Sequence, residues 1–186
     1  MVPDRKNALK LLEEYISNEN MRKHCIASEA VMRKVAAHLG KDTDKWGIAG
    51  LLHDLDAELV NNDPHTHALK TAEILSEMGV DEDMVDAIKM HNEEATQKER
   101  TTDFQHGLAA SETITGLITA TALVYPDKKL ASVKPKSVTK RMKEKNFAAS
   151  VKRDHIMECE EIGIPLREFV ELSLEGMRSV SDELGL

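Results

Sequence analysis

No segment of this chain alternates apolar with polar residues in the Val/Ile/Thr-rich manner of a half-buried strand, which leaves helices as its regular structure. The helix punctuation agrees. Asp4 can cap a first helix running to about Tyr15, and Asn20 a second that ends before Gly40. Thr43 or Asp44 opens a third helix ending at His53-Asp54, His65 or Thr66 a fourth that stops at Gly79, and Asp81 caps a fifth leading to His91. A longer helix is expected from Asp103 through Glu112 to Leu123, closed by Tyr125-Pro126, with two more from about Lys136 and Pro165. At 186 residues and 41% hydrophobic content the chain can bury a sizeable core, so the expectation is an all-α helical bundle, one domain over residues 1–186.

Within that pattern His53-Asp54 follows the apolar stretch Ile48-Ala49-Gly50-Leu51-Leu52. A carboxylate taken out of water without a partner loses several kcal/mol, so a buried Asp is normally paired, hydrogen-bonded or bound to a metal. Two readings fit the doublet equally: a metal site, or a hydrogen-bonded core histidine beside a capping aspartate. The other histidines tilt the balance, because seven of the eight lie between His24 and His106. Imidazole and carboxylate are the usual ligands of manganese, iron, cobalt, nickel and zinc. His24, His53, Asp54, His67 and His91 come from four separate segments, as a site inside a helical bundle requires. His24 shares a stripe with Ala27, Val31 and Val35 and should face the interior, whereas His38 and His106 read as packing or surface residues and His155 as a solvated helix position. No HExxH, CxxC or EF-hand spacing occurs.

The order His24, then His53-Asp54, then a late acidic residue resembles the HD superfamily of metal-dependent phosphohydrolases, whose pattern is H…HD…D on an all-helical fold. The segments His67-Ala68-Leu69-Lys70-Thr71-Ala72-Glu73-Ile74-Leu75 and Ala87-Ile88-Lys89-Met90-His91-Asn92-Glu93 look like the additional histidine segments of the two-metal members, and the similarity spans residues 21–123. The resemblance implies a divalent transition metal (Mn, Fe, Co, Ni or Zn) held by His24, His53, Asp54 and Glu112, with His67 and His91 available to a second ion that Asp54 would bridge. It implies hydrolysis of a phosphoester by metal-activated water. Three positions depart from the pattern: Glu112 stands where the family has Asp, His91-Asn92 replaces His-His, and Asp56-Ala57 replaces Gly-Lys. The second departure leaves a second ion one imidazole short, and the third opens Asp56 or Glu58 as the base, with His91 as a further proton carrier.

Formal charge is −8 overall, yet residues 128–153 contain ten basic side chains against the single acid Glu144. In a basic helical extension over 128–186, Lys136, Lys140, Arg141 and Lys143 are the candidate phosphate-binding residues, near a helix start that would also favour an anion. A solvated helix face balancing acidic neighbours is the competing reading. Nucleic acid is disfavoured, since the chain is net acidic and Phe147 is the one aromatic in residues 128–153. No run of eighteen apolar residues occurs, Met1-Val2-Pro3-Asp4-Arg5-Lys6 lacks the order of a signal peptide, and Cys25 and Cys159 have no framework spacing. The expectation is a cytoplasmic phosphohydrolase of a nucleotide or other small phosphoester, as monoesterase or diesterase. It carries no membrane segment, and the last helix could pair subunits into a homo-oligomer. The alternatives are an inactive metal- or nucleotide-binding sensor and a helical interaction module.

Overall fold

The computed structural model describes residues 1–186 as eleven α-helices, two short 3-10 turns and no strand. Two 21-residue helices, α2 (Glu19–Leu39) and α7 (Asp103–Leu123), form the central pair. Helix α3 (Thr43–Leu52) and helix α10 (Leu166–Ser179) pack on α2, while α5 (Glu82–Met90) joins α7 to α4 (Leu69–Glu77). The remaining helices are α1 (Arg5–Tyr15), α6 (Glu93–Thr96), α8 (Pro135–Met142), α9 (Arg153–Met157) and α11 (Ser181–Leu184). One apolar cluster runs through the molecule from Ala8 to Leu184, with Phe169, Met32, Leu51, Leu52, Ile88 and Leu108 at its centre.

Local chemistry explains most of the boundaries. Asp4 accepts the Asn7 amide to start α1, Asp42 accepts the Asp44 and Lys45 amides to start α3, and Thr102 and Gln105 form a reciprocal capping box on α7. Gly40 closes α2 in the left-handed region at φ 66°. Two starts differ from the sequence expectation. Helix α2 begins at Glu19 because Asn18, not Asn20, accepts the amides of Asn20 and Met21. Helix α4 begins at Leu69, three or four residues late, because its cap lies upstream in the chain: the buried Asp56 carboxylate accepts the amides of Lys70 and Thr71 at 3.1 and 3.0 Å. Asp81 precedes α5 as expected but makes no side-chain cap bond, since its carboxylate pairs with Lys45 and the Met1 amino group.

Glycines bring the helices close where the site is built. A Cβ at Gly50 of α3 would lie 2.7 Å from the Ser28 carbonyl oxygen of α2. That approach seats α3, with His53 at its end, directly against the helix that carries His24.

Candidate metal centre

Four imidazoles and two carboxylates converge where the ends of α3 and α5 meet the faces of α2 and α7. His24 lies on α2 and Glu112 on α7, His53 and His91 are the residues that terminate α3 and α5, Asp54 follows in the next turn, and His67 sits in the turn before α4. The His24 and His53 Nε2 atoms are 3.2 Å apart, and so are those of His67 and His91. Asp54 lies between the pairs: its Oδ1 is 3.2 Å from His53, 3.0 Å from His67 and 3.4 Å from His91, and its Oδ2 is 3.5 Å from His24. Glu112 Oε2 stands 3.8 Å from His24 Nε2.

The opposite edge of every ring is occupied. His53 Nδ1 lies 2.9 Å from the Gly50 carbonyl, His91 Nδ1 2.6 Å from the Ile88 carbonyl, and His67 Nδ1 2.7 Å from the Asp56 carboxylate. His24 Nδ1 lies 3.0 Å from Thr115 Oγ1, whose own proton is donated to the Glu112 carbonyl at 2.6 Å. Carbonyls and carboxylates only accept, and the Thr115 hydroxyl has given its hydrogen away, so all four Nδ1 atoms must carry the ring proton. The four Nε2 lone pairs are then aimed at one another and at carboxylate oxygens. Facing lone pairs at 3.2 Å repel unless a metal ion, or a second ring proton on one of the two nitrogens, lies between them, and imidazoles oriented from behind in this way are the usual arrangement around a metal. The donor set therefore fits a divalent ion. His24, His53 and Glu112 form one ligating group and Asp54, His67 and His91 another.

Without an ion the carboxylates draw protons into the cluster. Burial disfavours charge at His67, but hydrogen bonds to Asp54 and Asp56 outweigh it and push its pKa up to about 10. Burial holds His24 down to about 4 and lifts Glu112 to about 7. At Asp54 burial is likewise opposed, here by His53, His67 and His91, which hold its carboxyl well below the usual range. Burial pushes the Cys25 thiol up, so it stays protonated beside this cluster.

The two residues read as bases are committed elsewhere. Asp56 is fully buried and spends its carboxylate on His67 and the start of α4. Glu58 lies on the surface and accepts the Ser17 amide, the Ser17 hydroxyl and the Asn18 amide. His91 turns its Nε2 toward Asp54 Oδ1 at 3.4 Å. Asn92, where the family pattern has a second histidine, donates to the carbonyls of Pro64 and His67 at 2.8 and 3.0 Å, tying the His67 turn to the end of α5.

The basic segment is corrected in detail. A polar cavity of about 300 Å³ opens over the cluster, and its far wall is Asn92, Glu93, Thr113, Ser150, Lys152 and His155. Lys136, Lys140, Arg141 and Lys143 are absent from that wall. Arg141 lies over the Phe147 ring at 4.2 Å and pairs with Glu144, which also faces Lys140, and Lys136 lines a separate surface hollow with Lys134 and Arg167. Lys152 is the cation at the cavity, bonded to Glu93 and Glu94 at 3.0 and 2.7 Å. His155, expected to be solvated, is half-buried with Nε2 2.9 Å from Glu93. Behind them Arg100, only 5% exposed, pairs with Glu158 at 2.6 Å and donates to the Met90 carbonyl at 2.8 Å. No helix is long and apolar enough to cross a membrane.

A sequence model of the HD domain matches residues 21–123, more than half of the chain. Among curated proteins, Ribonuclease Y of Nitratidesulfovibrio vulgaris (strain DP4) is 33% identical over 81 residues, covering 44% of this chain and 16% of that protein. Ribonuclease Y of Lawsonia intracellularis matches to the same identity and extent, 33% over 81 residues. Ribonuclease Y of Fusobacterium nucleatum is 29% identical over 76 residues, 41% of this chain and 15% of the relative. The alignments thus span less than a fifth of the relatives' length. No solved structure matches the chain.

Proposed function

The chain belongs to the HD domain family, within the superfamily of metal-dependent phosphohydrolases, and from that premise we propose that it hydrolyses a phosphoester of a nucleotide or another small molecule. The observation that carries the reading is the set of four imidazoles whose Nδ1 atoms are all engaged from behind while their Nε2 atoms face one centre. We assign His24, His53, Asp54 and Glu112 to a first divalent ion, and Asp54, His67 and His91 to a second, with Asp54 shared. When bound, such an ion supplies Lewis-acid polarisation of a phosphoryl oxygen and makes water acidic enough to act as a nucleophile near neutrality.

The chain's own residues supply the remainder. Lys152, at the cavity wall, neutralises phosphoryl charge once the substrate competes with Glu93 and Glu94 for it. To His155, held by Glu93 and with its pKa lowered by burial, we assign the part of a proton acceptor at the cavity. Asp56 and Asn92 hold the His67 turn in place. The ribonuclease relatives make a phosphodiester a candidate bond alongside a monoester.

The test is elemental analysis of protein purified without chelator, followed by phosphate release from a nucleotide panel with manganese, cobalt, nickel and magnesium. The expected result is bound transition metal and metal-dependent turnover, both abolished in Asp54→Ala. Metal content unchanged in that variant removes the core of the proposal. Bound metal with no turnover on any substrate favours the sensor.

A further inference from the structure

Residues 143–152 join α8 to α9 in a run of turns, with Phe147 bonded back to the Glu144 carbonyl and Val151 to the Ala148 carbonyl, both at 3.0 Å. Turns this irregular do not fix their own shape. Ala148 adopts the left-handed region at φ 45°, which a residue with a side chain keeps only where its surroundings impose it. Arg153, the first residue of α9, imposes it. Its guanidinium donates to the carbonyls of Ala148 at 2.6 Å, Val151 at 2.8 Å and Glu144 at 3.4 Å, and to that of Phe147. Every hydrogen bond Arg153 makes ends on a main-chain carbonyl of this one segment, and its Nε is buried without a partner. An unpaired buried donor is a cost that persists only where the other bonds over-determine the side chain. Arg141 adds a second tie, lying over the Phe147 ring and pairing with Glu144, and Val151 rests on α7 at Gly116, where a Cβ would come within 3.3 Å of Val151 Cγ2.

The held segment supplies three consecutive residues, Ser150, Val151 and Lys152, to the wall of the polar cavity over the histidine–aspartate cluster. The Ala148 and Val151 carbonyls, both bound by one nitrogen of Arg153, bracket Ser150 and lead directly into Lys152. We propose that Arg153 is a positioning residue that holds Ser150 and Lys152 at the cavity before a phosphoryl group arrives; the phosphoryl placement rests on the hydrolase reading above. One of the ten basic residues of the segment thus acts on the chain's own backbone, as the frame on which the cavity's cation is mounted. Lysine cannot replace it, because a planar fork of five N–H groups reaches four carbonyls where a point-like ammonium has three donors at one position. Arg153 bonds to none of the residues assigned to the ions, so its loss acts on anion binding and spares the metal. The cost falls on affinity, since a loosened Ser150–Lys152 stretch must be ordered at each binding event.

The experiment uses the full chain supplied with manganese and compares the wild type with Arg153→Lys and Arg153→Gln. Inorganic phosphate is titrated calorimetrically, hydrogen exchange is mapped peptide by peptide, and elemental analysis follows the metal. The expected result is wild-type metal content in both variants, phosphate bound about tenfold more weakly, and faster exchange confined to residues 144–152. With p-nitrophenyl phosphate as substrate, KM rises by a similar factor while kcat stays within about twofold. Phosphate affinity unchanged in both variants, exchange over 144–152 as slow as in the wild type, metal lost from both variants, or a wild type that binds no phosphate overturns the assignment. Turnover by the wild type reports separately on the hydrolase reading: no release of p-nitrophenol, with phosphate binding still weakened in the variants, removes turnover and leaves the part of Arg153 standing.

Discussion

Replacing Asp56 by Asn should separate the two halves of the metal centre. The native carboxylate accepts three hydrogen bonds, from His67 Nδ1 at 2.7 Å and from the Lys70 and Thr71 amides at 3.1 and 3.0 Å, with no exposure to solvent. An amide has one accepting oxygen, so it can serve the helix start or the imidazole but not both, and its NH2 then faces a donor. One unpaired buried N–H costs about 1 to 3 kcal/mol of folding stability. If the oxygen stays with α4, His67 loses the partner that fixes its tautomer, and loss of such a partner lowers metal affinity about 10- to 100-fold, or about 1.4 to 2.7 kcal/mol. Only the ion held by Asp54, His67 and His91 should feel this, because His24 and His53 take their orientation from Thr115 and Gly50. Metal-buffered titration with elemental analysis should show one tight ion retained and the other weakened. Two ions bound with wild-type affinity, or both lost together, would refute the reasoning.

Other perturbations follow from the same geometry. Gly50→Ala drives a methyl group against the Ser28 carbonyl of α2 and should destabilise the protein by about 1 to 3 kcal/mol in urea unfolding while reducing metal content; an unchanged midpoint contradicts the close approach. Arg100→Ala leaves the Met90 carbonyl without its donor and Glu158 with His106 as its remaining partner, and should cost about 1 to 3 kcal/mol, with Arg100→Lys recovering part of it; a loss below about 0.5 kcal/mol would mean the pair is solvated. Despite partial burial, its own backbone amide, Lys152 and His155 hold the Glu93 carboxyl down to about 2 from 4.5. That depressed value is a stabilising contribution present above pH 4.5 and lost as pH falls toward 2, so the stability gap between wild type and Glu93→Gln should be full at pH 6 and closed at pH 2. The raised pKa of His67 has the opposite sign: its contribution to the ion-free protein is full below 6.5 and lost as pH rises through about 10. Ion binding at pH 8 should accordingly expel a proton, read by calorimetry in buffers of unlike ionisation heat, and zero release would remove His67 from the ligand set.

What the sequence disclosed was local, and what it concealed was long-range. Asp4, Gly40 and the Asp103–Leu123 span are legible because a cap or stop acts within a few residues of the helix it bounds. The start of α4 is hidden because its cap, Asp56, reaches it from 14 residues upstream. His53-Asp54 stands out because a polar doublet beside an apolar run demands a partner. Asp56 and Glu58 are equally acidic on paper, and only the fold buries one against His67 and spends the other on the Ser17 turn. Charge counting located the basic segment but not Lys152 as the residue at the cavity, since composition cannot say which of ten cations turns toward it. Lys152 and His155 were recoverable only by knowing that α9 packs on α7.

Every residue assigned to the ions lies between His24 and Glu112, whereas Lys152 and His155 come from a stretch beyond the matched domain. The expected ligands and the cavity's Lys152 and His155 thus come from two different stretches of chain. A grafted 128–186 region would set different side chains over the cluster while the expected ligands stay fixed, and beside the shared apolar core such an exchange must match charged pairs at the cavity. Arg100–Glu158, His106–Glu158, Lys152–Glu93 and His155–Glu93 are the charged joints there across which the two stretches must remain matched.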